Sequence, residues 1–501
     1  MDQILHILKK DIRRLRWEIA ASVLITMLLA WLNGDVRLIR AVTQEEKVLD
    51  GLRSMLQALS VFAWWFLIVS LMQEEAIPGV KQFWLTRPYR RGALLAAKIG
   101  FVLLFLNLPM LLADAIALSR VGIPLGGQLG AMLWKQVLYS ITFLLPAIVV
   151  GAVTSGLAQA VLAILGMALI AGLTASIPGN ENSVSSLRWW NLVMSEAVTA
   201  LAGAAILWAQ FFRRQTGYSR VALCVAQVIV ILLVSAFPWR ITFGWQQAMA
   251  TQAGAGSGFL ILPALERGHM YPDVRLTRGG PRIEIALPVT FRLPEGMDAL
   301  SDAFEVSLSL PDGTVIAADA DREGRLFEVR GVRWLSWQLD RQRFDQLAGR
   351  TLGIEVKVYA TVFGRERKAL VRAGGSGALV KPWGVCDARE WFGSLRVACQ
   401  SAYTQKFWTR VTLRDRETGK TVGPLRADGA RYSPIHMDLG ISPLGMQMAN
   451  FPIGWDKDKV DPYRLSAMDI ELSGMEPLDH VIRTVRFEGV RLEDFTTAGR
   501  R

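Results

Sequence analysis

Along residues 1–240 apolar positions gather into long runs separated by short charged segments, whereas beyond about residue 280 they alternate with polar positions. The first pattern predicts membrane-spanning helices and the second predicts β-strands. Before the first run, Ile4, Leu5, Leu8, Ile12 and Leu15 recur at helical spacing opposite Lys9, Lys10, Arg13 and Arg14. Residues 1–16 therefore read either as an amphipathic helix on the membrane surface or as a charged flank that orients the first span. Apolar runs follow at roughly 17–32, 54–73, 95–118, 133–153, 157–177, 190–212 and 220–238. They predict a multi-pass α-helical membrane domain of about seven spans over 17–240, several of them near the ~20 residues a crossing needs. The first run is short unless the amphipathic helix feeds into it, and the break at 154–156 is the weakest boundary. No small-x-small pattern follows Ile19–Leu32, so a cleaved signal peptide is not expected.

Charge refines this division. Residues 1–240 hold 21 Lys and Arg against 12 Asp and Glu, and residues 241–501 hold 35 against 32. The basic excess sits in clusters at the ends of spans: Lys9 to Arg16, Lys81 to Lys98, and Arg213, Arg214 and Arg220. With seven spans all three clusters fall on one side, which the positive-inside rule makes the cytoplasm. The opposite segment 33–53 balances four basic against four acidic residues. The N-terminus is then cytoplasmic and everything after Trp239 extracytoplasmic, in the cell (plasma or inner) membrane. The pI of 9.8 therefore reports orientation in a lipid bilayer and gives no support for a nucleic-acid partner.

Three charged residues lie within or near the runs: Asp114, Lys135 and Glu196. A charge at mid-membrane costs roughly 2.5–3.5 kcal/mol. Asp114 and Lys135 either offset this by pairing across one short hairpin or sit solvated near the outer interface. Glu196, close to Trp189 and Trp190, reads as interfacial. Ser195, Thr199 and Gly203 repeat every fourth residue, a spacing that lets helices approach closely, within the chain or against another subunit. Pro109 and Pro146 are expected to kink their spans.

The most informative segment joins the second and third runs. Glu74 and Glu75 end one span, Pro78-Gly79 breaks the chain, and Phe83-Trp84 precedes a Thr86-Arg87-Pro88 turn. A new helix then carries Leu94-Leu95-Ala96-Ala97-Lys98. This arrangement, with the amphipathic N-terminal segment, resembles the ABC-2-type transporter permease family over about residues 1–240. That family pairs an acidic span end and an aromatic stretch with a similar Arg-Pro turn. The resemblance implies a membrane subunit that works as a homodimer or with a sister permease. It also implies a separate ABC ATPase subunit that carries the ATP and Mg. The loop residues Glu74, Glu75, Pro78, Gly79, Phe83, Trp84, Arg87 and Pro88 would be its coupling handle. Two departures stand out: the family core has six spans, and a large outer domain is not general to it. From the residues alone, Phe83 and Trp84 need a covering surface, either a partner's groove or the bilayer interface.

Residues 241–280, rich in Gly, Ala and Gln, read as a linker or stalk. Beyond them, period-2 stretches such as Ile283–Phe291, Phe304–Leu310 and Ile354–Phe363 are separated by turns such as Pro311-Asp312-Gly313. They predict an all-β, sandwich-like extracytoplasmic domain, read as one module over 281–372 and a second β-rich module over 373–501. Cys386 and Cys399 flank a candidate hairpin tip. In an oxidising compartment they form a disulfide worth about 3 kcal/mol in the chain-entropy model, and otherwise remain two buried thiols. Cys224, inside the last run, stays free.

Catalytic chemistry is sparse. Gly419-Lys420-Thr421 mimics the end of a phosphate loop, but Arg414 occupies the position of the first glycine. The four histidines lack ligand spacing, and Asp456, Asp458 and Asp461 alternate with lysines, so no metal is expected. No enzyme and no cofactor on this chain are expected. A mean hydropathy of +0.29 excludes disorder and a small disulfide scaffold. The leading expectation is a permease subunit of an ABC exporter. The alternative is a membrane-anchored sensor or scaffold with an outer β-sandwich for ligands, or an envelope partner or substrate held there. A membrane-embedded transferase is a weaker third.

Overall fold

A computed structural model describes residues 2–33, 44–74, 90–120, 122–175, 188–213, 215–236, 239–264, 282–317, 325–329, 332–372, 378–380, 384–391, 394–401, 408–426, 445–452 and 462–495. The first half is helical: α1 (Asp2–Arg14), α2 (Arg16–Asn33), α3 (Gln44–Gln73), α4 (Arg91–Arg120), α5 (Leu129–Val153), α6 (Leu157–Ala175), α7 (Arg188–Trp208) and α8 (Thr216–Ala236). Among the described residues five helices are long and apolar enough to cross a membrane, and a sixth arises if α1 and α2, bent by 78°, count as one. The expected seven therefore stand at five or six. The difference lies in α2, which qualifies only together with α1, and in α6, which is counted over Leu157–Leu169 alone.

The spans pack through small residues and two wide turns. A Cβ on Gly151 would lie 2.8 Å from Cβ of Met72 and 3.2 Å from Cα of Val69, so α3 and α5 touch backbone to backbone there. Gly203 likewise admits Leu145, which seats the Ser195–Thr199–Gly203 stripe of α7 against α5 within this chain. In α4 and α5 a π turn precedes each proline: Leu103–Asn107 before Pro109, and Ser140–Leu144 before Pro146. Proline lacks an N–H and its ring crowds the carbonyl four residues back, and a widened turn relieves both problems.

The C-terminal half is β-rich. Its strands are β1 (Leu260–Pro263), β2 (Arg282–Arg292), β3 (Asp298–Ser309), β4 (Val315–Ala317), β5 (Arg325–Val329), β6 (Val332–Asp340), β7 (Leu352–Arg372), β8 (Ala378–Val380), β9 (Gly384–Trp391), β10 (Ser394–Ser401), β11 (Trp408–Asp415), β12 (Thr421–Arg426), β13 (Gly445–Pro452) and β14 (Met468–Val490). Among the described residues three sheets form, in the orders β1-β2-β6-β5, β13-β10-β9-β8 and β12-β11-β14-β7-β3-β4. The six-stranded sheet is the spine. β7 and β14 pair antiparallel along nearly their whole lengths, from Asp469 opposite Arg372 to Val490 opposite Leu352. One stretch of this pair shares a core of Leu287, Leu335, Val356 and Phe487 with the β2 sheet. The other shares a core of Val371, Leu395, Val411, Phe451 and Ile470 with the β10 sheet.

Asp298 joins the parts. Its buried carboxylate accepts from Arg333 of β6 at 2.6 Å and Arg410 of β11 at 2.7 Å. A buried carboxylate needs such partners to be tolerated. The stretch expected to be a linker carries α9 (Trp239–Ala248), strand β1 and a packed glycine turn. Asp479 accepts the backbone N–H groups of Gly254 and Gly256 at 3.0 Å each, and a Cβ on Gly256 would lie 2.5 Å from Val481.

The close approach at Gly151 leads to a stability prediction. Gly151→Leu should force α3 and α5 apart and cost about 1–3 kcal/mol, as overpacking does. A lowered melting temperature of the purified chain in detergent checks this, and an unchanged one contradicts the packing.

Candidate functional site

The segment between the second and third expected spans leaves the described chain after Glu74 and re-enters at Arg90. Glu75, Pro78, Gly79, Phe83, Trp84, Arg87 and Pro88 lie outside the described residues. Both anchor points are tied to α1. Arg14 pairs with Glu74 at 2.6 Å, and the backbone N–H of Arg90 donates to Oε1 of Gln3 at 3.4 Å. About two turns into α4, Nζ of Lys98 donates to Oδ2 of Asp11 at 2.9 Å, with both residues 1% exposed.

The amphipathicity of α1 explains this docking. Ile7, Asp11 and Leu15 recur every fourth residue and form its buried stripe. Asp11 thus sits in the middle of an apolar face, and Lys98 sits among Leu94, Ala97 and Phe101, which are all buried. Sequence reasoning placed Lys98 only in a basic cluster and overlooked Asp11. The available signal was a carboxylate inside an apolar stripe and a lysine inside an apolar helix, each requiring an opposite charge.

The same end of the bundle gathers further contacts. Arg91 donates to the carbonyl of Phe212, Gln73 to Oγ1 of Thr154 at 3.0 Å, and Arg220 to the carbonyl of Val153 at 3.2 Å. The described members of the three basic clusters therefore meet at one end, together with the break at residues 154–156.

The opposite half of α4 and α5 carries a polar ladder. Nζ of Lys135 donates to Oδ1 of Asp114 at 2.9 Å, and Gln136 reaches Oδ2 at 3.4 Å. Nδ2 of Asn107, in one π turn, donates to Gln136 at 3.3 Å and to Oγ of Ser140, in the other, at 2.8 Å. Asp114, Asn107 and Gln136 are buried. The two wide turns thus face each other across one hydrogen bond, a placement that polarity and spacing alone do not announce. Glu196 accepts from Thr142 at 2.8 Å, linking α7 to α5. At this end Arg120 donates to the carbonyl of Trp31 at 2.8 Å and lies 4.6 Å over its ring.

The β region meets this end of the bundle at two places. Val385 of β9 packs with Leu118, Ile123 and Met132 at the turn between α4 and α5. On the other side, Trp239 and Phe243 of α9 set their rings edge-on to Tyr359, with centroids 4.7 and 5.1 Å away. Glu305 accepts from the Tyr359 hydroxyl at 2.9 Å and pairs with Arg240 at 2.7 Å. Burial, reinforced by Glu305, pushes the Tyr359 hydroxyl up to about 12. Next to Val385, Cys386 and Cys399 form the expected disulfide between directly opposed positions of β9 and β10. Cys224 is free and exposed on α8. Among the described residues, no group of three or more His, Cys, Asp or Glu could hold a metal.

No family model, curated protein or solved structure matches this chain. The functional reading therefore rests on the geometry above and on the loop's residues.

The buried pair makes a sharp prediction. Lys98→Met alone should strand Asp11 and destabilise the helical half by about 3–5 kcal/mol. Adding Asp11→Leu should recover most of that, because an apolar pair of similar volume suits the site. Thermal unfolding of these two variants and of Asp11→Leu alone, in one detergent, decides it. A loss in the double variant equal to the sum of the Lys98→Met loss and the Asp11→Leu loss would show that the pair is not coupled.

Proposed function

We propose that this chain is the membrane-spanning permease subunit of an ABC-type exporter. It works as a homodimer or with a sister permease and is driven by a separate ATPase that binds ATP and Mg. The observation that carries this reading is the double anchorage of the 75–89 segment. Its N-terminal flank is tied to α1 through Glu74, and its C-terminal flank through Arg90 and Lys98. A load that reaches either flank would be passed to α1 and α4 together. Burial of a Phe–Trp pair in a partner's groove would supply a few kcal/mol for such a grip.

In this reading the basic end faces the cytoplasm, as the positive-inside rule requires. The β region then lies outside, where its disulfide is at home. Export would proceed by rocking of the spans about close contacts such as Gly151 and Gly203. The outer β region would cap the exit or receive substrate or an envelope partner. The mean hydropathy, the docked surface helix and the loop motif support this reading together, and none would do so alone.

Two measurements test it. Purification in mild detergent should co-isolate an ATPase, and Trp84→Ala should weaken that association at least about tenfold, the loss expected for a buried aromatic anchor. Full ATPase capture by a chain lacking both Phe83 and Trp84 would overturn the coupling role. For orientation, a cysteine placed at Glu355 in a Cys224→Ser background should react with a membrane-impermeant maleimide on intact cells. Labelling only after permeabilisation would place the β region inside.

A further inference from the structure

α1 has a second face that none of these contacts uses. About 200° around the helix from the docked stripe Ile7–Asp11–Leu15 runs the stripe Leu5, Lys9, Arg13 and, past the bend, Arg16 and Trp17. All five are exposed, Leu5 to 58% and Trp17 to 72%. The 78° bend between α1 and α2 turns this stripe across the end of the bundle instead of along it. Arg16 lies 5.2 Å over the ring of Trp17. At the same end Arg213 lies 4.4 Å over the ring of Trp208, itself half-exposed. Three exposed cations on this face stand against one exposed carboxylate, Asp2 at the start of the helix, and the two nearest others are taken. Asp11 is buried against Lys98, and Glu74 is held by Arg14.

We infer that this stripe is a binding surface for anionic phospholipid headgroups, with Lys9, Arg13 and Arg16 holding phosphate and Leu5 and Trp17 resting against the upper acyl chains. A protein partner with an acidic surface would satisfy the cations. It would leave a leucine and a tryptophan at the two ends of the same stripe without cause. A headgroup layer supplies both, because indole prefers the boundary between headgroups and hydrocarbon. Basic amphipathic helices lying in the plane of the membrane draw on the same two contributions. The stripe is independent of the exporter reading, since it needs only that α1 lie at a bilayer surface.

The test is lipid selectivity around the full chain reconstituted in phosphatidylcholine bilayers. Spin-labelled phosphatidylglycerol and spin-labelled phosphatidylcholine serve as probes, and the motionally restricted fraction of each is read by electron paramagnetic resonance. The restricted fraction should favour phosphatidylglycerol by at least about threefold at low salt, and raising ionic strength should reduce that preference. The triple variant Lys9→Gln, Arg13→Gln, Arg16→Gln should bring the ratio close to one. Lys9→Arg with Arg13→Lys, which keeps the charges and guards against simple misfolding, should preserve it. Equal fractions for the two lipids around the unaltered chain would overturn the inference, as would a preference unchanged in the triple variant. Equal fractions combined with loss of ATPase capture in the triple variant would assign the stripe to a protein partner instead.

Discussion

A buried ion pair is the constraint on which the helical half turns. Asp11 and Lys98 are 87 positions apart, and each is almost wholly removed from solvent. Either charge alone would be costly to bury, by several kcal/mol after relaxation. Helix α1 therefore cannot leave α4 without exposing one charge to its partner's empty apolar site. That asymmetry makes the contact a register as well as an attachment. Ile7 and Leu15 supply burial but would tolerate a shift of a turn along α4, whereas the carboxylate has one place to go. The flanks of the 75–89 segment inherit that register through Arg14 and Gln3.

The consequences run along α4 to the other end of the bundle. A straight apolar helix would pass from Arg91 to Arg120 with nothing to distinguish one rotation about its axis from another. The polar ladder Asn107–Gln136–Asp114–Lys135 sets that rotation against α5. The facing π turns take up the room the two prolines require. Close packing through glycine handles the remaining contacts, since apolar spans gain no hydrophobic advantage from touching each other in lipid. Polarity thus specifies position at sites where burial alone cannot.

Much of this was legible from residues, and the exceptions share a physical cause. The apolar runs, the amphipathic start, the change to period-2 alternation and the disulfide all depend on local pattern, and local pattern is what a sequence displays. The Asp11–Lys98 pair and the Asn107–Ser140 contact depend on which helices become neighbours. The full lengths of β7 and β14 escaped for a different reason. Gly364 and Pro477 look like strand ends, yet the pair continues through irregular register at those positions. A left-handed Arg365, with φ of 54°, marks the place. Turn residues inside a long strand bend it instead of stopping it when both flanks are paired. Glycines at 254–258 were similarly misread, because small residues serve close packing as readily as slack.

That long pair bears on how the β region can act. Were the two hydrophobic cores on separate sheets, a hinge between them would be free to absorb motion. They instead share β7 and β14, and Asp298 ties β3 to β6 and β11 through two guanidinium groups. Bending between the cores would have to break ladder hydrogen bonds and strand a buried carboxylate. Val385 and Tyr359 are therefore two points on one stiff body, the first resting on the turn between α4 and α5 and the second on α9. A body held at two separated points follows a tilt of either support. Any displacement of the Arg120 end of α4 relative to α9 must move the whole β region or unseat one contact. The seat at Val385 is small and apolar, made with Leu118, Ile123 and Met132. The other joins three aromatic rings to an ion pair, so it is the former that yields first.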